Sequence, residues 1–324
     1  MTAMEKRRTY IHDVALRDGF QIEPNFIATE EKVKLINRLS QTGLAKIEAT
    51  SFTSPKAIPN LRDAEQVMRQ IERYPGVVYT VLVPNVKGCE RALTCKVDEI
   101  NLVMSASQSH NRANLRMSCE QSLAQFAEIV QFAGQSSVFI NGSLSTSFGC
   151  PFDGWVPEQR VLELVQQFLD TGIQGVTLCD TTGMANPEQV RRLCEAVLRR
   201  WPMVPFTLHF HNTRGMGLAN IVAALGTGMY RFDASLGGLG GCPYAPGATG
   251  NVCTEDVVHM LEQMGYDTAV DLEALIEIAQ DLPGIVGHDV PGQVMKAGKA
   301  DRKYPKPEWA TNATAQGAPT GSCH

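Results

Sequence analysis

The sequence has no apolar run approaching the roughly 18 residues of a membrane-spanning helix. No apolar stretch follows the basic segment 1–8, as a secretory signal would require. A membrane-bound or secreted role is therefore disfavoured. Charge of one sign is also missing, since 29 basic residues stand against 34 acidic ones for a formal net charge of -5. So mild an acidity offers no field for holding nucleic acid or an anionic membrane, and neither is expected as a partner. The nine cysteines stand singly at 89, 95, 119, 150, 179, 194, 242, 253 and 323, without a CxxC pair or the density of a disulfide scaffold. They read as reduced thiols of a reducing, cytoplasmic compartment, most of them small core hydrophobes.

What is present is alternation. Strand-like runs are expected at 10–16, 44–50, 77–83, 98–104, 138–145, 175–179, 206–211 and 230–236. Amphipathic stretches at 30–41, 61–73, 120–133, 158–171, 187–200 and 218–226 carry apolar residues at helical spacing between them. Simple division of 324 residues suggests two domains, but an eight-fold βα alternation of this length predicts an α/β fold with one closed parallel (βα)8 TIM barrel. The expected organisation is a catalytic barrel over 1–265, a C-terminal helical extension over 266–302 that includes a helix at 272–280, and a poorly ordered tail over 303–324 rich in Pro, Ala, Thr and Gly. Thr29 and Asn186 followed by Pro187 read as helix starts, and Gly43 and Gly172 as helix stops.

Alternation along the strands is more informative about chemistry. Lys46, Glu48 and Thr50 share a face, as do Asn141, Ser143 and Ser145, His209 and His211, and Arg231, Asp233 and Ser235. Helices cover the outside of such a barrel, so these polar sets must point inward, and each strand's last member lies at the catalytic end. A polar barrel interior is costly unless its groups are paired or bind something.

His209-Phe-His211 is the strongest local signal. Two imidazoles about 6.5 to 7 Å apart along one strand face can converge on one divalent ion, although two core histidines would produce the same pattern. Asp18, closing the first strand, can add a carboxylate oxygen; two nitrogens and one or two oxygens suit Mg or Mn better than structural zinc. Arg17 beside Asp18 can be a plain ion pair, or at the barrel mouth its guanidinium can stabilise an enolate oxygen. Glu48 is a candidate partner for Arg17 or for a metal-bound water. Asp180 is a candidate for fixing one histidine tautomer. Gln21, Ser107 and Asn141 are candidate substrate-pocket residues. Residues 237–251 hold six glycines around Cys242, whose thiol, protonated at neutral pH, is a competent proton donor. Asn251 closes that loop with a neutral oxygen ligand or hydrogen bond. His12, His110, His259 and His288 read as ordinary hydrogen-bonding imidazoles.

Arg17-Asp-Gly-Phe-Gln21, Glu48-Ala-Thr-Ser-Phe52, Ser54-Pro-Lys56, Phe148-Gly-Cys-Pro151, Asp180-Thr181, His209-Phe-His211, Gly238-Leu-Gly-Gly-Cys-Pro-Tyr-Ala245 and Gly250-Asn251 occur in this order. Together they resemble the 3-hydroxy-3-methylglutaryl-CoA lyase family, from about residue 8 to 300. The resemblance implies retro-Claisen cleavage of a 3-hydroxyacyl-CoA to acetyl-CoA and a keto acid. It implies a divalent metal, Mg or Mn, held by Asp18, His209, His211 and Asn251. Asp18 or His209 would be the base, Arg17 the enolate stabiliser and Cys242 the acid. Barrels of this kind often pair, so a homodimer is expected. The chain departs from the usual pattern at Asp13, Ile22, Pro24 and Asn212; the loss of a basic residue at the mouth bears on the acyl group accepted. A related 3-hydroxyacyl-CoA lyase, a condensing synthase of the same barrel family, and a barrel that only binds are the competing readings.

Overall fold

The computed structural model describes residues 7–134, 136–241 and 250–307. Its barrel strands are β1 (Tyr10–Asp13), β2 (Lys46–Ser51), β3 (Val78–Leu82), β4 (Glu99–Ser105), β5 (Phe139–Ser145), β8 (Gly175–Asp180), β9 (Phe206–Phe210) and β10 (Arg231–Ala234). They close in the order β1-β10-β9-β8-β5-β4-β3-β2, every pairing parallel. The expected TIM barrel is the observed fold. A two-stranded hairpin, β6 (Gly149–Cys150) and β7 (Gly154–Trp155), is inserted after β5.

The outer layer comprises α1 (Thr29–Ser40), α2 (Ala64–Gln70), α3 (Val86–Leu93), α4 (Gln108–Leu115), α5 (Cys119–Ala133), α6 (Glu158–Asp170), α7 (Pro187–Arg200), α8 (Gly217–Leu225) and α9 (Thr254–Gln263), followed by α10 (Leu272–Val286) and α11 (Val294–Ala297). Each long helix turns an apolar stripe to the strands; in α6 it is Val161, Leu164, Val165 and Phe168, all fully buried. Among the described residues no helix is long and apolar enough to cross a membrane. Seven described cysteines are free and buried, as small core residues should be.

The expected boundaries shift where side chains offer the backbone another partner. The first strand stops at Asp13, three residues before the expected end, because the Asp13 carboxylate accepts the Ala15 amide at 2.9 Å and turns the chain. Arg17 and Asp18 therefore sit on a wide helical turn, Ala15–Gly19, with the Gly19 amide 3.4 Å from the Val14 carbonyl. Thr29 is the first residue inside α1 rather than its cap, its hydroxyl donating to Asp63 at 2.8 Å. Asn186 does cap α7, accepting from the Gln189 amide at 3.0 Å. Gly43 and Gly172 follow their helices in the left-handed region, at φ 87° and 94°. Helices α3, α4 and α9 were not expected; α4, Gln-Ser-His-Asn-Arg-Ala-Asn-Leu, has almost no apolar stripe to betray it. The helix expected over 272–280 runs on to Val286 because Leu282 and Val286 continue its buried face.

One buried ion pair clamps the first two βα units. Lys32 of α1 is 2% exposed and donates to Asp63 at 2.7 Å and to the Asn60 carbonyl at 2.6 Å. Its ammonium also lies 4.3 Å from the centroid of the Phe26 ring. Removing one member of such a pair strands the other charge out of water. Asp63→Ala is expected to lower unfolding free energy by about 3–5 kcal/mol, measured by denaturant titration, whereas Lys32→Met combined with Asp63→Leu should cost much less. Equal losses would show that packing, not charge, sets the cost.

Candidate active site

The wide turn after β1 delivers Arg17 and Asp18 to the barrel mouth, where both are buried. Arg17 Nε donates to Glu48 Oε2 at 2.6 Å, and its Nη1 to Asp18 Oδ1 at 2.7 Å. The guanidinium is thus fixed between two carboxylates. Burial works against its charge, but Glu48 and Asp18 outweigh it and raise the Arg17 pKa above its ordinary value. Glu48 lies deeper: burial pushes its pKa up, and Arg17 with the Asn101 amide at 3.0 Å offsets this only in part. Asp18 is the reverse case. Burial would raise it, yet Arg17, His209, His211 and the Asn251 amide together hold it below the usual carboxylate range. Gln21 adds a further donor to Asp18 Oδ1 at 3.1 Å.

Asp18, His209 and His211 each present one donor atom within 4.8 Å of the others. All three are buried, His211 Nε2 lies 4.0 Å from Asp18 Oδ2, and the two imidazole centroids are 5.2 Å apart. His211 bridges to Asn251, whose side-chain amide donates to Asp18 Oδ2 at 2.7 Å and to the Leu239 carbonyl at 3.0 Å. Asn251 Oδ1 is buried without a hydrogen-bond partner among the described residues. A buried acceptor left unpaired is costly, and two imidazoles, a carboxylate and an amide oxygen are a donor chemistry suited to a divalent cation.

Asp233 is the residue that the sequence reading did not single out. It lies beside His209 in the β9–β10 register, and its Oδ2 accepts from His209 Nδ1 at 3.3 Å. Burial, the largest influence on His209, lowers its pKa, but Asp233 and then Asp18 outweigh it and leave it raised. Asp180 was expected to hold a histidine; its Oδ1 instead accepts from the Met184 amide at 2.8 Å, and its Oδ2 is buried without a hydrogen-bond partner among the described residues. Burial pushes the Asp180 carboxyl up to about 6. The sign that could have found Asp233 was its inward position on the strand next to His209, which is visible only once the barrel order is known.

The remaining expected residues fall elsewhere. Asn141 lies inside the barrel, its amide donating to Asn101 at 3.1 Å and Thr177 at 3.0 Å. Ser107 caps α4, accepting the His110 amide at 3.1 Å and donating to Asp153 at 2.6 Å. Cys242 lies outside the described residues. The described ends of its loop come together at the site. Gly240 has φ 110°, and a Cβ there would sit 2.6 Å from Asn251 Nδ2 and 2.9 Å from Asp18 Oδ2. Below the loop, buried Glu255 accepts the Gly237 amide at 3.1 Å. Burial, then Asp256 and Asp13, push its carboxyl up to about 8 and favour its neutral form.

The HMGL-like family pattern matches residues 8–282. The chain is 46% identical over 294 residues to the hydroxymethylglutaryl-CoA lyase of Bacillus subtilis, spanning 91% of this chain and 98% of that protein. It is 40% identical over 298 residues to the (R)-citramalyl-CoA lyase of Chloroflexus aurantiacus, 89% of this chain and 94% of the relative. A solved HMG-CoA lyase from Acinetobacter baumannii, in complex with coenzyme A and 3-methylmalate, superposes with a TM-score of 0.90. That structure shares 51% identity over 95% of this chain and all of the other.

Two outcomes test this geometry. Gly240→Ala would place a methyl group against both Asp18 and Asn251, and is expected to weaken Mn2+ binding by about 10-fold or more by calorimetric titration. Unchanged affinity would mean that the loop gives way without moving either side chain. Glu255 has a folded pKa raised above its unfolded value, so its contribution to stability is complete below about pH 4.5 and lost as pH rises through about 8. Glu255→Gln should therefore gain stability relative to the wild type between pH 5 and 9, by more than about 1 kcal/mol. Parallel stability–pH curves for the two proteins would contradict the assignment.

Proposed function

Because the chain belongs to the HMGL-like family, we propose that it is a carbon–carbon lyase that cleaves 3-hydroxy-3-methylglutaryl-CoA to acetyl-CoA and acetoacetate. The observation that carries this reading is the convergence of Asp18, His209, His211 and Asn251 beside a guanidinium fixed between Glu48 and Asp18. Asp18, His209, His211 and Asn251 would hold Mg2+ or Mn2+, supplying Lewis acidity that lowers the pKa of the substrate hydroxyl.

The chain's own groups then divide the work. A base within the cluster, Asp18 or His209, takes the hydroxyl proton. The oxygen's electron pair becomes the ketone carbonyl, the bond between the second and third acyl carbons breaks, and its electrons pass to the thioester as an enolate. Arg17, prevented from turning by Glu48, presents its guanidinium to that oxygen, where fixed positive charge stabilises developing negative charge. Cys242 returns a proton to the enolate carbon, releasing acetyl-CoA. Glu48 acts through Arg17, and Gln21 through Asp18. We assign Asp180, Ser107 and Asn141 to the pocket walls and their support. The catalytic unit is placed in 1–265 with the helices of 266–302 as its extension, and the enzyme in the cytoplasm as a homodimer.

A second acyl group has a specific observation in its favour. The neighbour at 51% identity holds coenzyme A with 3-methylmalate, and a relative at 40% is a citramalyl-CoA lyase. Both ligand names describe five-carbon hydroxydiacids, one carbon shorter than hydroxymethylglutarate. Ile22, at the position where a polar residue is usual, is 41% exposed, and its change of polarity bears on the acyl group accepted.

The deciding assay uses purified protein stripped with chelator and reconstituted with Mg2+ or Mn2+. It is offered hydroxymethylglutaryl-CoA, citramalyl-CoA and 3-methylmalyl-CoA, with release of the CoA thioester product followed. Metal-dependent cleavage of the first in preference to the others is expected; cleavage of none would overturn the lyase reading. Cys242→Ala should lower turnover by about 10²-fold or more, and wild-type rates in that variant would remove the thiol from the reaction.

A further inference from the structure

His12 has no place in the chemistry above, yet the structure buries it in the row that leads to the cation cluster. On three neighbouring strands, His12 of β1 stands in register with Asp233 of β10, and Asp233 with His209 of β9. His12 Nδ1 lies 2.9 Å from Asp233 Oδ1, and His209 Nδ1 lies 3.3 Å from Asp233 Oδ2. One carboxylate thus joins two imidazoles, an oxygen to each. An ionised carboxylate only accepts, so both Nδ1 atoms must carry protons.

We propose that His12 is a positioning residue for the cation centre: it pins Asp233 so that Asp233 holds His209 in the Nδ1–H tautomer, with Nε2 left as the ligand atom. The inference rests on the reading of Asp18, His209, His211 and Asn251 as a divalent-cation site. The physical case is rotational. Asp233 bonded only to His209 could turn about its Cβ–Cγ bond and present either oxygen, and the imidazole would turn with it. A second donor on the opposite oxygen removes that freedom, as the partners of ligating histidines do elsewhere. His12 is itself held in place. It is 4% exposed, and the other charged groups facing it, Lys46 and Glu99, are occupied with each other at 2.6 Å. Burial lowers the His12 pKa, favouring a neutral ring with a single N–H to give, and the nearest carboxylate receives it.

The experiment measures Mn2+ binding by metal-free wild-type protein, His12→Phe and His12→Asn, from the EPR signal of free Mn2+, with thermal unfolding of each metal-free protein as the control for folding. Phenylalanine keeps the ring volume without the donor, and asparagine keeps a donor near the Nδ1 position without the ring. Weakening by about 10-fold in His12→Phe and affinity within about 2-fold of wild type in His12→Asn are expected. A packing role predicts the opposite order, and that order, or equal affinity in wild type and His12→Phe, overturns the role of His12 alone. Wild-type protein that takes up no Mn2+ overturns the cation site and this proposal together. A second readout needs no variant: 15N NMR of the metal-free wild type, at a pH high enough for the His209 ring to be neutral, is expected to show its single proton on Nδ1, and a neutral ring protonated on Nε2 overturns the proposal.

Discussion

Charge confined inside a closed parallel barrel is the constraint on which the rest of this structure depends. Ionisable groups taken out of water are tolerable only with partners of opposite charge and with their hydrogen bonds made. Three groups here meet that condition: Arg17 has Glu48 and Asp18, Lys46 has Glu99, and Asp233 has His12 and His209. The pairs run across strands, so they also set which strand faces are polar. The outer strand faces must stay apolar to pack against helices, so polar residues are forced inward, where they either pair or form the site.

The mouth of the barrel departs from this economy in a way that defines its chemistry. Asn251 Oδ1, Asp180 Oδ2 and Glu255 Oε1 are buried without hydrogen-bond partners among the described residues. For Glu255 burial and acidic neighbours push the carboxyl toward the neutral form, which lowers the cost of its position under the loop. Asn251 cannot ionise and has no such relief. The same crowding explains the glycines: the loop backbone at Gly240 passes so close to Asp18 and Asn251 that no side chain fits. A chain that must approach a cation site so closely there gives up side chains to do so.

Rigidity is distributed accordingly. Asp18 is held by Arg17, Gln21 and Asn251, and His209 by Asp233, so the ligand atoms sit in a framework of strand ends and short hydrogen bonds. For the proposed enolate chemistry such preorganisation would matter, because a guanidinium fixed beforehand needs no reorganisation as the bond breaks. The contacts that make the polar interior tolerable also fix the residues to which the proposed chemistry is assigned.

Much of this was legible in residue order alone. Eight strand-like runs alternating with helix-like ones point to a (βα)8 barrel, because eight parallel strands covered by helices close readily on themselves. The His209–His211 spacing determines a shared inward face, and Arg17-Asp18 after the first strand places both residues at the mouth. Local polar contacts were less legible: Asp13 ends its strand early by bonding the Ala15 amide, and α4 forms with scarcely any apolar stripe. The partner of His209 was decided only by tertiary structure. Asp180 and Asp233 are both acids near a barrel strand's end, and 29 and 24 residues respectively separate them from His209. The closing of β10 between β1 and β9 brings Asp233 between His12 and His209, because hydrogen-bond register across neighbouring strands, and not distance along the chain, sets which side chains meet.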